Sequence, residues 1–199
     1  MLNSKVLGLM LLLGPIATMG SWIFYSTDTS DMSFSQEMAA LMADTTKVYV
    51  GSGIRMFGLT SMFMGLYFLA RSLKSDNTIS NTCVEIGSLL LLFAAPVWVL
   101  MMGVDMTAVE AAKEFGNETG ETILAAGRAF RNVFFFMMIG SILLGISMVL
   151  LKQYKGIIGG LFVIIGFVGI SNLAPPVAWM GLFGLTSVTG LLTLLKKDN

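Results

Sequence analysis

Histidine is missing from this 199-residue sequence, cysteine occurs once, and charged residues make up only 12% of it. Each shortage removes a class of chemistry. Without histidine there is no imidazole to act as general base, metal ligand or axial haem ligand. A lone Cys83 can form neither an intrachain disulfide nor a thiolate cluster, and its place near the start of an apolar run reads as a small buried thiol. A soluble domain would carry about a quarter charged residues, so little of this chain is left for an aqueous surface. Basic and acidic residues balance at 12 each, which gives no electrostatic reason to expect nucleic acid as a partner. Phosphate-binding loops, dinucleotide fingerprints, nucleophile elbows and metalloprotease signatures do not occur. The chain is therefore expected to be no enzyme and to hold no cofactor and no metal.

What the sequence does contain is length in apolar runs. Six of them, roughly 6–25, 55–70, 84–103, 132–151, 156–172 and 177–195, fill most of the chain. A bilayer core needs about 20 mostly apolar helical residues, fewer where flanking side chains snorkel. The first run continues through Phe24 and Tyr25, longer than a signal-peptide core, and no small-residue cleavage site follows it. The expected fold is all-α: a polytopic membrane protein with six transmembrane helices in a single domain over 1–199, with loops at 26–54 and 104–131.

Charge in the gaps sets an expected orientation. The segments at 1–5, 71–83, 152–155 and 196–199 hold Lys5, Arg71, Lys74, Lys152, Lys155, Lys196 and Lys197. The opposite loops hold Asp28, Asp31, Glu37, Asp44, Asp105, Glu110, Glu114, Glu118 and Glu121. Basic residues accumulate in cytoplasmic loops, so both termini are expected in the cytoplasm and the chain in the cell (inner or plasma) membrane. Trp22 and Tyr25 then fall at an outer interface, Tyr67 and Tyr154 at an inner one.

The two long loops carry helix signals of their own. Phe34, Met38, Leu41, Met42, Thr45 and Val48 recur at helical spacing, and Ser33 with Gln36 makes a capping box. Gly51-Ser52-Gly53 is expected to break this helix before the second span. In the second loop, Thr107 with Glu110 suggests another capping box, Gly116-Asn117 a stop, and Glu118-Thr119 a new helix running through Arg128 and Arg131 into the fourth span. Two short extracytoplasmic amphipathic helices are expected, whereas Asn172 to Pro176 is only a tight turn. Pro15-Ile16-Ala17-Thr18-Met19-Gly20 echoes Pro176-Val177-Ala178-Trp179-Met180-Gly181, with Pro96-Val97-Trp98 between them, which is compatible with three repeated hairpins.

Candidate sites are few. Ionisable groups sit at the ends of the runs, and Glu85 has Lys74 or Lys152 as natural partners. Arg55, Arg128 and Arg131 begin the second and fourth spans and could together hold an anion or a lipid headgroup, or pair with the acids of that side. Met38/Met42 and Met102/Met106 resemble the M-x-x-x-M of copper-transporter channels at those positions alone, with no His-Cys exit motif, and methionine also serves as apolar filler. Gly156, Gly160 and Gly166 give the fifth span a small-residue face suited to close helix contact. These features favour a non-catalytic accessory or assembly subunit of a larger membrane complex. The alternatives are a small-solute or ion transporter or channel, and binding of a lipid or apolar small molecule beneath the caps. Expected partners are membrane lipids and other membrane-protein subunits, or self-association.

Overall fold

The computed structural model describes residues 3–26 and 32–196, and of Arg131 the backbone alone. Asp28, Asp31 and Lys197, which enter the charge asymmetry, lie outside the described residues. Helices α1 (Ser4–Tyr25), α2 (Phe34–Ala43), α3 (Thr45–Ser72), α4 (Thr78–Phe115), α5 (Asn117–Ala129), α6 (Phe134–Leu150), α7 (Ile157–Ile170) and α8 (Pro175–Leu195) follow in order, with no strand among the described residues. Six helical segments, built on α1, α3, α4, α6, α7 and α8, are long and apolar enough to cross a membrane. The protein is a multi-pass membrane protein.

These six form a closed ring. Each packs on its neighbour in chain order, and α8 returns to α1. Small residues let the backbones approach at the seams. A Cβ on Gly14 of α1 would lie 2.7 Å from the Gly58 carbonyl oxygen of α3, and one on Gly145 of α6 would lie 2.6 Å from that of Gly159 on α7. At the closing seam, a Cβ on Gly190 of α8 would come within 2.5 Å of Leu12 N and 2.7 Å of Gly8 O. Inside the ring, Leu11, Met62, Leu66, Leu91, Met137, Phe162 and Phe183 form one buried core.

The loop elements build a cap at one end, and here the helix boundaries differ from expectation. Helix α4 does not stop at the membrane. Its 38 residues extend roughly 57 Å, about twice the hydrocarbon thickness. Thr107 lies inside it and donates its hydroxyl to the Gly103 carbonyl (3.0 Å) instead of capping a new helix. The helix continues because Ala108, Val109 and Ala112 are covered by α2 and α5, forming a second small core with Met38, Leu41, Val48 and Leu124. Gly116 ends it at φ +95°, a backbone that favours glycine. The Gly51-Ser52-Gly53 break is likewise absent. The chain breaks earlier, where Asp44 caps α3 by accepting from Lys47 N, and Gly51 is instead the point where Tyr25 of α1 packs directly on α3. The Ser33–Gln36 capping box is formed. Helix α5 leads through a 3-10 turn, Phe130–Val133, into α6.

The opposite end is made of turns. Lys74 and Glu85 meet there at 3.4 Å, both well exposed. Between α6 and α7, Lys152, Tyr154 and Lys155 adopt left-handed backbone, costing about 1 kcal/mol or more each. Tyr154 ties this turn to α8 through a 2.7 Å hydrogen bond between its hydroxyl and that of Thr193.

Candidate functional site

A cavity of about 840 Å³ opens beneath the cap, at the level where α1 ends and α6 and α8 begin. All three tryptophans of the chain line it: Trp22 from α1, Trp98 from α4 and Trp179 from α8. Trp179 is the hub. Its ring centroid lies 4.5 Å from Trp98, 4.9 Å from Phe134, 5.6 Å from Phe183 and 6.3 Å from Trp22. The Phe134 and Phe183 planes are inclined to it by 33° and 28°, whereas Trp22 and Trp98 present edges. Such a cluster is held by edge-to-face and offset contacts, each worth about 0.5–1.5 kcal/mol beyond the area it buries. Helical geometry explains the convergence. Trp22 sits in the last turn of α1, Trp179 in the second turn of α8, and Phe134 opens α6, so antiparallel neighbours bring them to one depth.

Four charges complete the wall. Arg55 of α3, 6% exposed, donates from Nη2 to Ser52 Oγ (3.1 Å) and to Asp105 Oδ2 of α4 (3.4 Å). Arg128 of α5 pairs with the buried Glu37 of α2 and stacks on Phe34, its guanidinium carbon 4.3 Å from the ring centroid. The second pair thus joins the two cap helices, while the first joins two membrane helices below them.

Two donors in this wall have no partner among the described residues: the buried Arg55 Nε and Trp98 Nε1. An unmet buried donor costs about 1–3 kcal/mol, and both belong to residues that line the cavity while the atoms themselves are buried. The edge of the cavity is mixed, with exposed Ile23, Phe135 and Met180 beside the amides of Asn132 and Asn172. The cap touches α3, α4 and the α5–α6 connection.

Of the three arginines singled out in the sequence, Arg55 and Arg128 come to this one cavity, each already facing a carboxylate. The Arg131 side chain lies outside the description. The small-residue face of α7 does not hold together as one surface. Gly166 is buried against Ile142 and Met138 of α6, Gly156 forms the left-handed turn before α7, and a Cβ on Gly160 would meet nothing within 4 Å. Met38 fills the cap core and Met102 lines the cavity, so the methionine pairs are split between two environments. Cys83 is half-buried.

Trp22, expected near the outer interface, lines the cavity, half-buried against Phe183 at 5.4 Å. The signal available was the tryptophans themselves. Trp98 and Trp179 lie within the two proline echoes, and all three fall toward the same end of their spans. Comparison of the chain with protein-family models, curated proteins and solved structures finds no match.

Proposed function

We propose that this is a non-enzymatic membrane protein that binds an amphipathic small molecule in the tryptophan-lined cavity beneath its cap. The observation that carries this reading is the cavity itself, walled by all three tryptophans and edged by the amides of Asn132 and Asn172. Small-molecule sites are concave, mostly apolar and about 300–1,000 Å³, with a few polar groups that fix orientation. By the charge asymmetry of the loops, both termini lie in the cytoplasm of a cell-membrane protein and the cavity opens in the outer leaflet. An accessory-subunit role keeps one supporting observation, the open position at Gly160 on α7.

The test uses the full chain in nanodiscs. Because every tryptophan belongs to the cluster, intrinsic fluorescence reports on the cavity directly. Saturable fluorescence changes with a panel of single-chain amphiphiles and ring lipids are expected. They should be lost in Met102→Trp, which fills the cavity, while its melting temperature stays close to wild type. If no amphiphile gives a saturable change in the wild-type protein, the binding reading is wrong.

A further inference from the structure

Resting on that reading, we propose that the ligand is a phospholipid whose head carries both a phosphate and a primary ammonium, held between Arg128 and Asp105 with its acyl chain over the apolar rim. Each ion pair of the cavity wall has a closed member and an open one. Arg55 and Glu37 keep only 7% and 10% of their side chains exposed, whereas Asp105 and Arg128 keep 35% and 34%. The open members carry opposite charge and come from different pairs, Asp105 on α4 and Arg128 on α5, and both line the cavity. They are near enough for the charge of Arg128 to act on Asp105. Each also has hydrogen-bonding capacity to spare. Asp105 meets Arg55 through Oδ2, and its Oδ1 has no hydrogen-bond partner among the described residues. Arg128 meets Glu37 through Nη2, which leaves Nη1 and Nε without one among the described residues. None of these three atoms is sealed from solvent as Arg55 Nε and Trp98 Nε1 are.

That arrangement selects the head. An anion alone would satisfy Arg128 and be repelled by Asp105, and a cation alone would do the reverse. A head with its phosphate on Arg128 and its ammonium on Asp105 gains two charge-assisted contacts. It adds no net charge to a cavity whose described charges already cancel in pairs. An ammonium with N–H groups can donate to Oδ1, which a quaternary one cannot. At the edge, the exposed amides of Asn132 and Asn172 can meet the glycerol and ester oxygens. Beside them Ile23, Phe135 and Met180 are exposed and apolar, which gives an acyl chain a path from the head to the bilayer. A soluble zwitterion would leave that rim without an occupant.

The experiment follows tryptophan fluorescence of the full chain in dodecyl maltoside, whose head is uncharged, during titration with lauroyl lysophosphatidylethanolamine. Three comparators isolate the parts of the ligand. Lauroyl lysophosphatidylglycerol keeps the phosphate and tail without the amine, lauroyl lysophosphatidylcholine has the amine quaternised, and glycerophosphoethanolamine is the head without a tail. A saturable change is expected with the ethanolamine lipid, about tenfold weaker binding of the glycerol and choline lipids, and no binding of the free head. Asp105→Asn removes the partner of the ammonium and leaves Arg128 in place. It should weaken the ethanolamine lipid about tenfold while the glycerol lipid binds as tightly as before or tighter. Unchanged affinity for the ethanolamine lipid in this variant, or equal loss of both lipids, overturns the proposal. Should Asp105→Asn not fold, the wild-type comparison tests the same point, and equal affinity for the ethanolamine lipid and either charged comparator overturns it. If the free head binds as tightly as the lysolipid, the ligand is a soluble zwitterion and the lipid assignment fails. If another amphiphile binds saturably and the ethanolamine lipid does not, the ligand class is wrong while the binding reading survives. If no amphiphile binds saturably, both fail.

Discussion

Replacing Gly190 with alanine should open the seam that closes the ring, and the same replacement six residues earlier on α8 should not. A Cβ on Gly190 would sit 2.5 Å from Leu12 N, 2.7 Å from Gly8 O and 2.8 Å from Leu11 C, all backbone atoms that cannot rotate away. Restoring ordinary contact distances of about 3.5–4.0 Å requires α1 and α8 to separate by roughly 1 Å, which forfeits a quarter to a half of the dispersion well at each contact along the seam. Overpacking of this kind costs about 1–3 kcal/mol. At Gly184, by contrast, nothing lies within 4 Å of the added carbon. There alanine should stabilise the helix by about 0.8–1.0 kcal/mol through propensity alone. That gain applies to both variants and cancels, so they should differ by the overpacking cost of about 1–3 kcal/mol, or roughly 2–12 °C in melting temperature for a chain of this size. Circular dichroism melts in one detergent give the comparison. Trp22 and Trp179 face each other across this seam, so Gly190→Ala should also shift tryptophan emission. Equal melting temperatures for Gly190→Ala and Gly184→Ala would refute the close-approach argument.

Three further outcomes are expected. Arg128→Gln removes the guanidinium from Glu37 and from the Phe34 ring and should loosen the cap by about 2–3 kcal/mol, seen as faster amide exchange in 34–43, with α7 and α8 unaffected. In a Cys83→Ser background, a cysteine at Asn117 should react with an impermeant thiol reagent in intact cells and one at Ser75 only after permeabilisation; the reverse pattern would invert the proposed orientation. Gly160→Leu should leave melting and ligand binding unchanged, since the position is open; loss of a co-purifying chain in this variant would return the weight to an accessory-subunit role.

The spans were legible because apolar run length is a direct physical requirement of the bilayer, and α1, α7 and α8 end close to where the runs end. The cap boundaries were not, because local signals compete with burial. Thr107 and Glu110 have capping-box spacing, yet the helix passes through them to keep Ala108, Val109 and Ala112 covered. Gly51 reads locally as a breaker, whereas its function is to admit Tyr25 of α1. At Gly116, where local geometry and burial agree, sequence and structure coincide. The arginines were found because charge near a membrane is rare. Their carboxylate partners were not, since Glu37 lies 91 residues from Arg128 and Asp105 lies 50 from Arg55. The cavity itself depends on ring closure, a contact between the first and last described spans that no local pattern encodes.

That closure has a consequence in time. The groove on α1 that receives Gly190 is made early in synthesis, and its occupant follows roughly 180 residues later, about 10–40 s at ordinary elongation rates. Throughout that interval the Gly8 edge of α1 faces lipid or whatever assists insertion, and neither Trp22 nor Phe134 has met its tryptophan hub on α8. The tryptophan-lined cavity is thus among the last features of the molecule to form. A chain arrested before α8 would hold five spans and both cap helices and still lack the cavity wall that Trp179 and Phe183 supply.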